Sequence, residues 1–78
     1  MTKTGEFVRA HRELLSMSQE ELGIKIGVSG QFISNIERGI CLPPRLKISP
    51  LSRALKLSHK TLVRNLMIDF REKFINAE

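Results

Sequence analysis

The chain has 78 residues, 13 Lys and Arg against 8 Asp and Glu, and 41% hydrophobic residues. A chain this short forms one small domain and buries only about 60–65% of its unfolded surface, which disfavours a two-lobed enzyme with a deep cleft and favours a binding module stabilised further by oligomerisation. The formal net charge of +5 asks for a polyanionic partner, leaving open nucleic acid, an acidic protein or a lipid surface.

In chain order, Phe7, Val8, His11, Leu14 and Leu15 recur with the spacing of one helix face, which predicts a first helix over about Gly5 to Leu15 with Thr4 as N-cap and Glu6 in the first turn. Ser18-Gln19-Glu20-Glu21 is a capping-box sequence, so a second helix starts sharply at Gln19. Leu22 and Ile26 form its apolar face, and Gly27 ends it where a left-handed backbone is needed. Ser29 caps a third helix in which Phe32, Ile33 and Ile36 keep the helical period to Arg38, before Gly39 stops it. Pro43 and Pro44 make the next stretch a connector. A fourth helix is expected over roughly Lys47 to Leu55, with Pro50 in its first turn, where a missing amide costs nothing. Ser58 caps a fifth in which Leu62, Leu66, Phe70 and Phe74 repeat every four residues almost to the C-terminus.

Other chemistries find little support. Cys41 is the lone cysteine and Asp69 the lone aspartate, so neither an internal disulfide nor a Cys/His metal site is expected, and no cofactor is implied. Nothing beside Cys41 argues for a redox role. No apolar run exceeds three residues, far short of the ~18 of a membrane span, and the N-terminus is unlike a signal peptide; a cytoplasmic protein is expected. The histidines fall on different helices, and there is no paired carboxylate or phosphate loop to suggest an enzyme.

Two short helices joined by a tight Gly-containing turn in an all-helical basic chain suggest a helix-turn-helix. Residues 18–39, SQEELGIKIGVSGQFISNIERG, resemble the signature of the lambda-repressor-like family (phage Cro and repressor, XRE type), roughly S-Q-x-x-L-A-x-x-x-G-V-S-x-x-x-I-S-x-I-E-x-G. With the first helix and the Pro-containing connector, the resemblance extends over about residues 5–66. It departs at Gly23, where Ala is usual, at His11, where an aliphatic is usual, in the connector length, and in the long fifth helix. The resemblance implies an all-α, five-helix domain spanning 1–78. The helix-turn-helix lies at about 18–39, a recognition helix at about 30–38 enters the major groove, and residues 67–78 extend the last helix.

Helical spacing puts Gln31, Ser34, Asn35 and Arg38 opposite the inward Ile33 and Ile36. Gln31 and Asn35 have amides suited to the adenine edge, and Ser34 suits a base, a phosphate or its own helix. The resemblance makes Gln19 a phosphate ligand at a helix N-terminus. Ser29, Gly30, Arg38, Arg45 and Lys47 are further candidates for phosphate, with Lys25 behind them. Phe32 is expected as rim of the core, His11 as a rim residue and His59 as exposed. Arg12 and Glu37 match a partly buried ion pair that ties the first helix to the end of the third.

Leu62, Val63 and Leu66 suffice to close a five-helix core, so Phe70, Phe74 and Ile75 are expected to form a homodimer interface. The alternative is a tail folded back over Phe7 and His11. The expected protein is a repressor that binds a palindromic double-stranded operator as a dimer, without a small-molecule effector. A protein-interaction module on the same fold, antitoxin-like or polymerase-contacting, is the other reading. The excess charge is local: residues 38–68 hold seven Lys and Arg and no carboxylate.

Overall fold

The computed structural model describes residues 2–75, the side chains of 73–75 excepted. It contains α1 (Lys3–Leu14), α2 (Gln19–Ile26), α3 (Gly30–Glu37), α4 (Arg45–Ala54) and α5 (His59–Ile75), with no strand among the described residues. Val8 of α1, Leu22 and Ile26 of α2, Ile33 and Ile36 of α3, Leu51 and Leu55 by α4 and Leu62 of α5 form one buried cluster. Met17, Val28, Phe32, Cys41, Ile48 and Leu66 pack on its edge. Every helix thus contributes to the core, as amphipathic helices too short to be stable alone must.

Local signals set α2 and α3. The Ser18 hydroxyl accepts from the Glu21 amide while the Glu21 carboxylate accepts from the Ser18 amide, completing the capping box. These two hydrogen bonds hold the Glu21 carboxyl below its ordinary pKa. Gly27 closes α2 at φ 79°. Ser29 accepts from the Phe32 amide to start α3, and Gly39, at φ 78°, follows its end. Ser58 accepts from the Thr61 amide at the start of α5.

Four expectations need correction. The first helix starts earlier, at Lys3, because Thr2 rather than Thr4 is the N-cap and accepts from the Gly5 amide. Thr4 is buried, and its amide donates to Asp69. The fourth helix starts at Arg45 behind Pro44, which leaves Pro50 inside it rather than in the first turn. The carbonyl that Pro50 fails to engage belongs to Leu46, a residue that is 86% exposed. Leu14, placed by periodicity on the inner face, is exposed at the last turn of α1.

The fourth correction concerns α5. Among its described side chains the buried ones are Leu62, Asn65 and Asp69, while Val63 and Leu66, expected to close the core with Leu62, are only half-buried; Phe70, expected to lie off the core, is 56% exposed. The inward face therefore carries two polar side chains, because it meets the N-terminus of α1. The Asp69 carboxylate accepts from the Lys3 amide at 2.9 Å and the Thr4 amide at 2.7 Å. An anion at a helix start satisfies amides that lack intrahelical partners and complements the positive end of the dipole. The last helix does reach the first, but through Asp69. Phe74 and Ile75, as side chains, lie outside the described residues.

Candidate nucleic-acid interface

The α2–turn–α3 unit owes its tightness to missing side chains. A Cβ on Gly23 would stand 2.5 Å from the Val28 carbonyl oxygen, and one on Gly30 3.1 Å from Glu20 Cα. Gly23 thus lets the turn lie directly on α2, and Gly30 brings the start of α3 onto the start of α2. Gly5 does the same for α1, where a Cβ would meet the Glu37 and Ile36 carbonyl oxygens at 2.5 and 2.6 Å. Two of these approaches close the unit on itself and the third seats α1 on the end of α3.

A polar clamp lies at its base. Arg12 donates from Nε to Glu37 Oε2 at 2.7 Å and from Nη2 to Glu37 Oε1 at 3.0 Å, a bidentate pair whose side chains are only 11% and 3% exposed. Arg12 Nη1 donates to the Met17 carbonyl, and Gln19 Nε2 donates to Glu37 Oε1 at 3.1 Å. The Glu37 hydrogen bond foremost, then its charge, raises the Arg12 pKa above an already high ordinary value, against the opposing effect of burial. One carboxylate thus joins α1, the start of α2 and the end of α3. The sequence anticipates the ion pair but not Gln19 as its third member, and one of that amide's two hydrogens is already engaged.

On α3, Ile33 and Ile36 are buried while Gln31 and Arg38 are exposed and Ser34 and Asn35 half-buried. Gln31 Nε2 donates to Asn35 Oδ1 at 3.1 Å, and Arg38 Nη2 donates to the same oxygen at 2.9 Å. This chain orders three side chains along about two turns of helix. It also commits Asn35 Oδ1, leaving the Asn35 amide hydrogens as donors and Gln31 Oε1 with one hydrogen as an acceptor–donor pair.

Gln19, Glu20, Gly30, Gln31 and Ser34 line a shallow cleft between the two helix starts. Two acidic residues occupy the first turn of α2 and none that of α3, so the positive end of α3 lacks a compensating carboxylate of its own. Ser29 and Gly30 sit at that end. Arg45 is exposed at the start of α4. Lys47 instead turns its ammonium to the Ile26 carbonyl at 3.0 Å, at the negative end of α2. Lys25 is exposed. His11 stacks on Phe7 with ring centroids 4.7 Å apart. Phe32 is part of the core edge, and Cys41 is half-buried beside it.

Asp69 is a structural residue that the motifs above do not include, although the sequence carries its signal: Leu62, Asn65 and Asp69 share one face of a helix, and a lone carboxylate on the stripe of a buried leucine needs an amide or cationic partner.

Among the described residues, no helix is long and apolar enough to cross a membrane, and no group of three or more potential metal ligands occurs. Five helices around a glycine-tightened α2–turn–α3, with a polar outer face on the second of the pair, define an all-α helix-turn-helix module of the lambda-repressor-like class. A family model described as "Helix-turn-helix" matches residues 8–62, and the chain belongs to that family. Its fold is similar to that of the P22 c2 repressor, solved in complex with synthetic operator 9T, with a TM-score of 0.74, 37% identity and coverage of 80% of this chain and 94% of that one. An HTH-type transcriptional regulator of Sinorhizobium fredii is 39% identical over 57 residues, 73% of each chain. Others from Mycobacterium tuberculosis strains CDC 1551 and H37Rv are 34% identical over 58 residues, 74% of this chain. This chain spans 41% of the length of those mycobacterial relatives.

Proposed function

We propose that the protein is a transcriptional repressor that binds double-stranded DNA, with α3 in the major groove. The observation that carries this reading is the ordered Gln31–Asn35–Arg38 chain on the outward face of α3. Gln31 retains an acceptor and a donor for an adenine edge. Asn35 retains donors for acceptors such as guanine O6 or N7, and Arg38 retains charge for either a base or a phosphate. Gln19, Ser29 and Gly30 line or flank the seat for a phosphate at the helix starts, and Arg45 supplies a cation beyond them; Ser34 reaches a base or a phosphate beside Gln31. The likeness to a repressor solved with operator DNA supports the reading.

Two copies reading half-sites one helical turn apart would bind a palindrome. The last turns of α5 are the proposed contact between them, beginning at the half-exposed Phe70 and continuing through positions 74 and 75. Occupancy of a promoter-overlapping site would then repress without an effector ligand.

Selection of binding sites from a random duplex pool, followed by salt titration of the best site, tests this. A palindromic consensus is expected, with log affinity falling against log salt at about −0.9 per neutralised phosphate. A pool without enrichment would overturn sequence-specific recognition, and an enriched single half-site would overturn the dimer.

A further inference from the structure

A second surface lies away from the recognition helix. Leu42, Ile48, Val63, Met67 and Phe70 are among the apolar residues lining a groove between the connector, the start of α4 and the outer face of α5. It encloses about 1110 Å³, above the ~300–1,000 Å³ usual for small-molecule pockets. Along α5 it runs from Lys60 to Arg71, roughly 16 Å at the rise of a helix. Lys60, Arg64 and Arg71 line it on the α5 side and Arg45 on the other. All four are exposed, and among the described residues none belongs to an ion pair. No lining residue is acidic, and none belongs to α3.

We propose that this groove docks an acidic amphipathic helix from another protein, its apolar stripe on Val63 and Met67 and its carboxylates on Lys60, Arg64 and Arg71. The length matches about three helical turns, the usual extent of a helix held in a groove by i, i+3/i+4 and i+7 anchors. The charge selects the occupant. A second copy laid along the whole groove would bring its own Lys60 and Arg64 against these, and like charges brought together at an interface are unfavourable; the contact between copies proposed above therefore lies towards the C-terminal end of α5 and shares only the groove's edge at Phe70 and Arg71. A DNA backbone would satisfy the cations but lay phosphates over an apolar floor that offers them no hydrogen bond. An acidic helix with one apolar face satisfies both. The lining avoids α3 and shares only Arg45 with the proposed phosphate contacts, so the inference does not depend on which DNA sequence is read.

Backbone amide shifts of the full-length ¹⁵N-labelled chain provide the test, with a synthetic helix of about 12 residues that has Leu and Phe on one face and Glu elsewhere. Saturable shifts are expected over residues 42–48 and 60–71, with α3 unmoved. Arg64→Glu and Met67→Glu, each at an exposed position, should each weaken the peptide by about tenfold, with helical circular dichroism and affinity for the selected duplex unchanged. Equal binding of a scrambled peptide, or of one with Lys for Glu, would overturn the proposal. So would shifts confined to α3, or loss of neither contact in the two variants. Stronger displacement of the same amides by a random-sequence duplex or by phosphatidylglycerol vesicles would assign the groove to another anion. Movement of these amides on dilution of the chain alone would assign it to a second copy.

Discussion

Replacing Glu37 by alanine removes the acceptor shared by Arg12 and Gln19. The Arg12 side chain is 11% exposed, so the guanidinium keeps its charge but loses its counter-ion in a site where water reaches it poorly. Breaking one half of such a pair costs about 3–5 kcal/mol. At ~0.05–0.15 kcal/mol per residue, the whole domain has only about 4–12 kcal/mol to lose. Glu37→Ala is therefore expected to lower the melting temperature by roughly 12 °C or more, at ~4–8 °C per kcal/mol for a domain of this size. Arg12→Met with Glu37→Leu removes both charges together, and the pair should cost no more than about 1–2 kcal/mol relative to the parent. Urea unfolding followed by circular dichroism, at constant slope, measures Glu37→Ala and the four corners of the cycle made by the parent, Arg12→Met, Glu37→Leu and their combination. Single costs below about 1 kcal/mol, or additivity within about 0.5 kcal/mol, would refute the idea that this carboxylate clamps three helices. Because the Arg12 pKa is raised, the arginine side of the pair is fully charged below its unfolded pKa. That contribution fades only as pH rises through the still higher folded value, beyond ordinary working conditions.

Asp69→Asn leaves one good acceptor for the Lys3 and Thr4 amides and removes the charge at the α1 N-terminus; a loss of about 1–2 kcal/mol is expected, with faster hydrogen exchange at those two amides, and unchanged exchange there would contradict the capping role. Glu21 has a lowered folded pKa, so its contribution is present above the ordinary carboxylate pKa of about 4.3 and is lost as pH falls through the folded value. Acid unfolding of Glu21→Gln should accordingly show a shallower dependence on pH than the parent as pH falls below the ordinary carboxylate range, and parallel curves would show that the charge in the capping box is immaterial. Gln31→Ala should relax one base preference by about 1–3 kcal/mol. Arg38→Ala should weaken all sequences and reduce the salt slope by about one, while also releasing Asn35 Oδ1. Since Gln31 and Arg38 hold the same oxygen, their effects on binding should be non-additive by about 0.5 kcal/mol or more in a double-mutant cycle; strict additivity would show that the chain does not act as a unit.

The helix pair is legible in the sequence because its ends are set by neighbours in the chain. The Ser18 capping box, Gly27, Ser29 and Gly39 set both ends of the helix pair through contacts spanning three or four residues, and local chemistry is what sequence records. The inward Ile33 and Ile36 and the outward Gln31 and Arg38 followed from the helical repeat alone. At α1 and α4 the boundaries slipped because more than one cap was chemically available. Thr2 and Thr4 both qualify as caps, and only packing against α5 decided that the Thr4 amide belongs to Asp69. Pro50 suits a helix start, yet it sits within α4, one turn after an exposed Leu46.

The face of α5 shows the limit most clearly. Leu62, Leu66, Phe70 and Phe74 make the more apolar stripe, but the fold buries Leu62, Asn65 and Asp69, because a helix start carries unpaired amides and positive dipole that a carboxylate satisfies and a phenyl ring cannot. Such a pairing joins residues 65 and 66 positions apart. The sequence by itself determined the order of the helices, the turn and the polar outward face of α3, all written in spacings shorter than a helix. The tertiary structure alone decided which side of α5 turns inward, and hence where the cationic apolar groove opens, since that depends on which helix end the carboxylate meets.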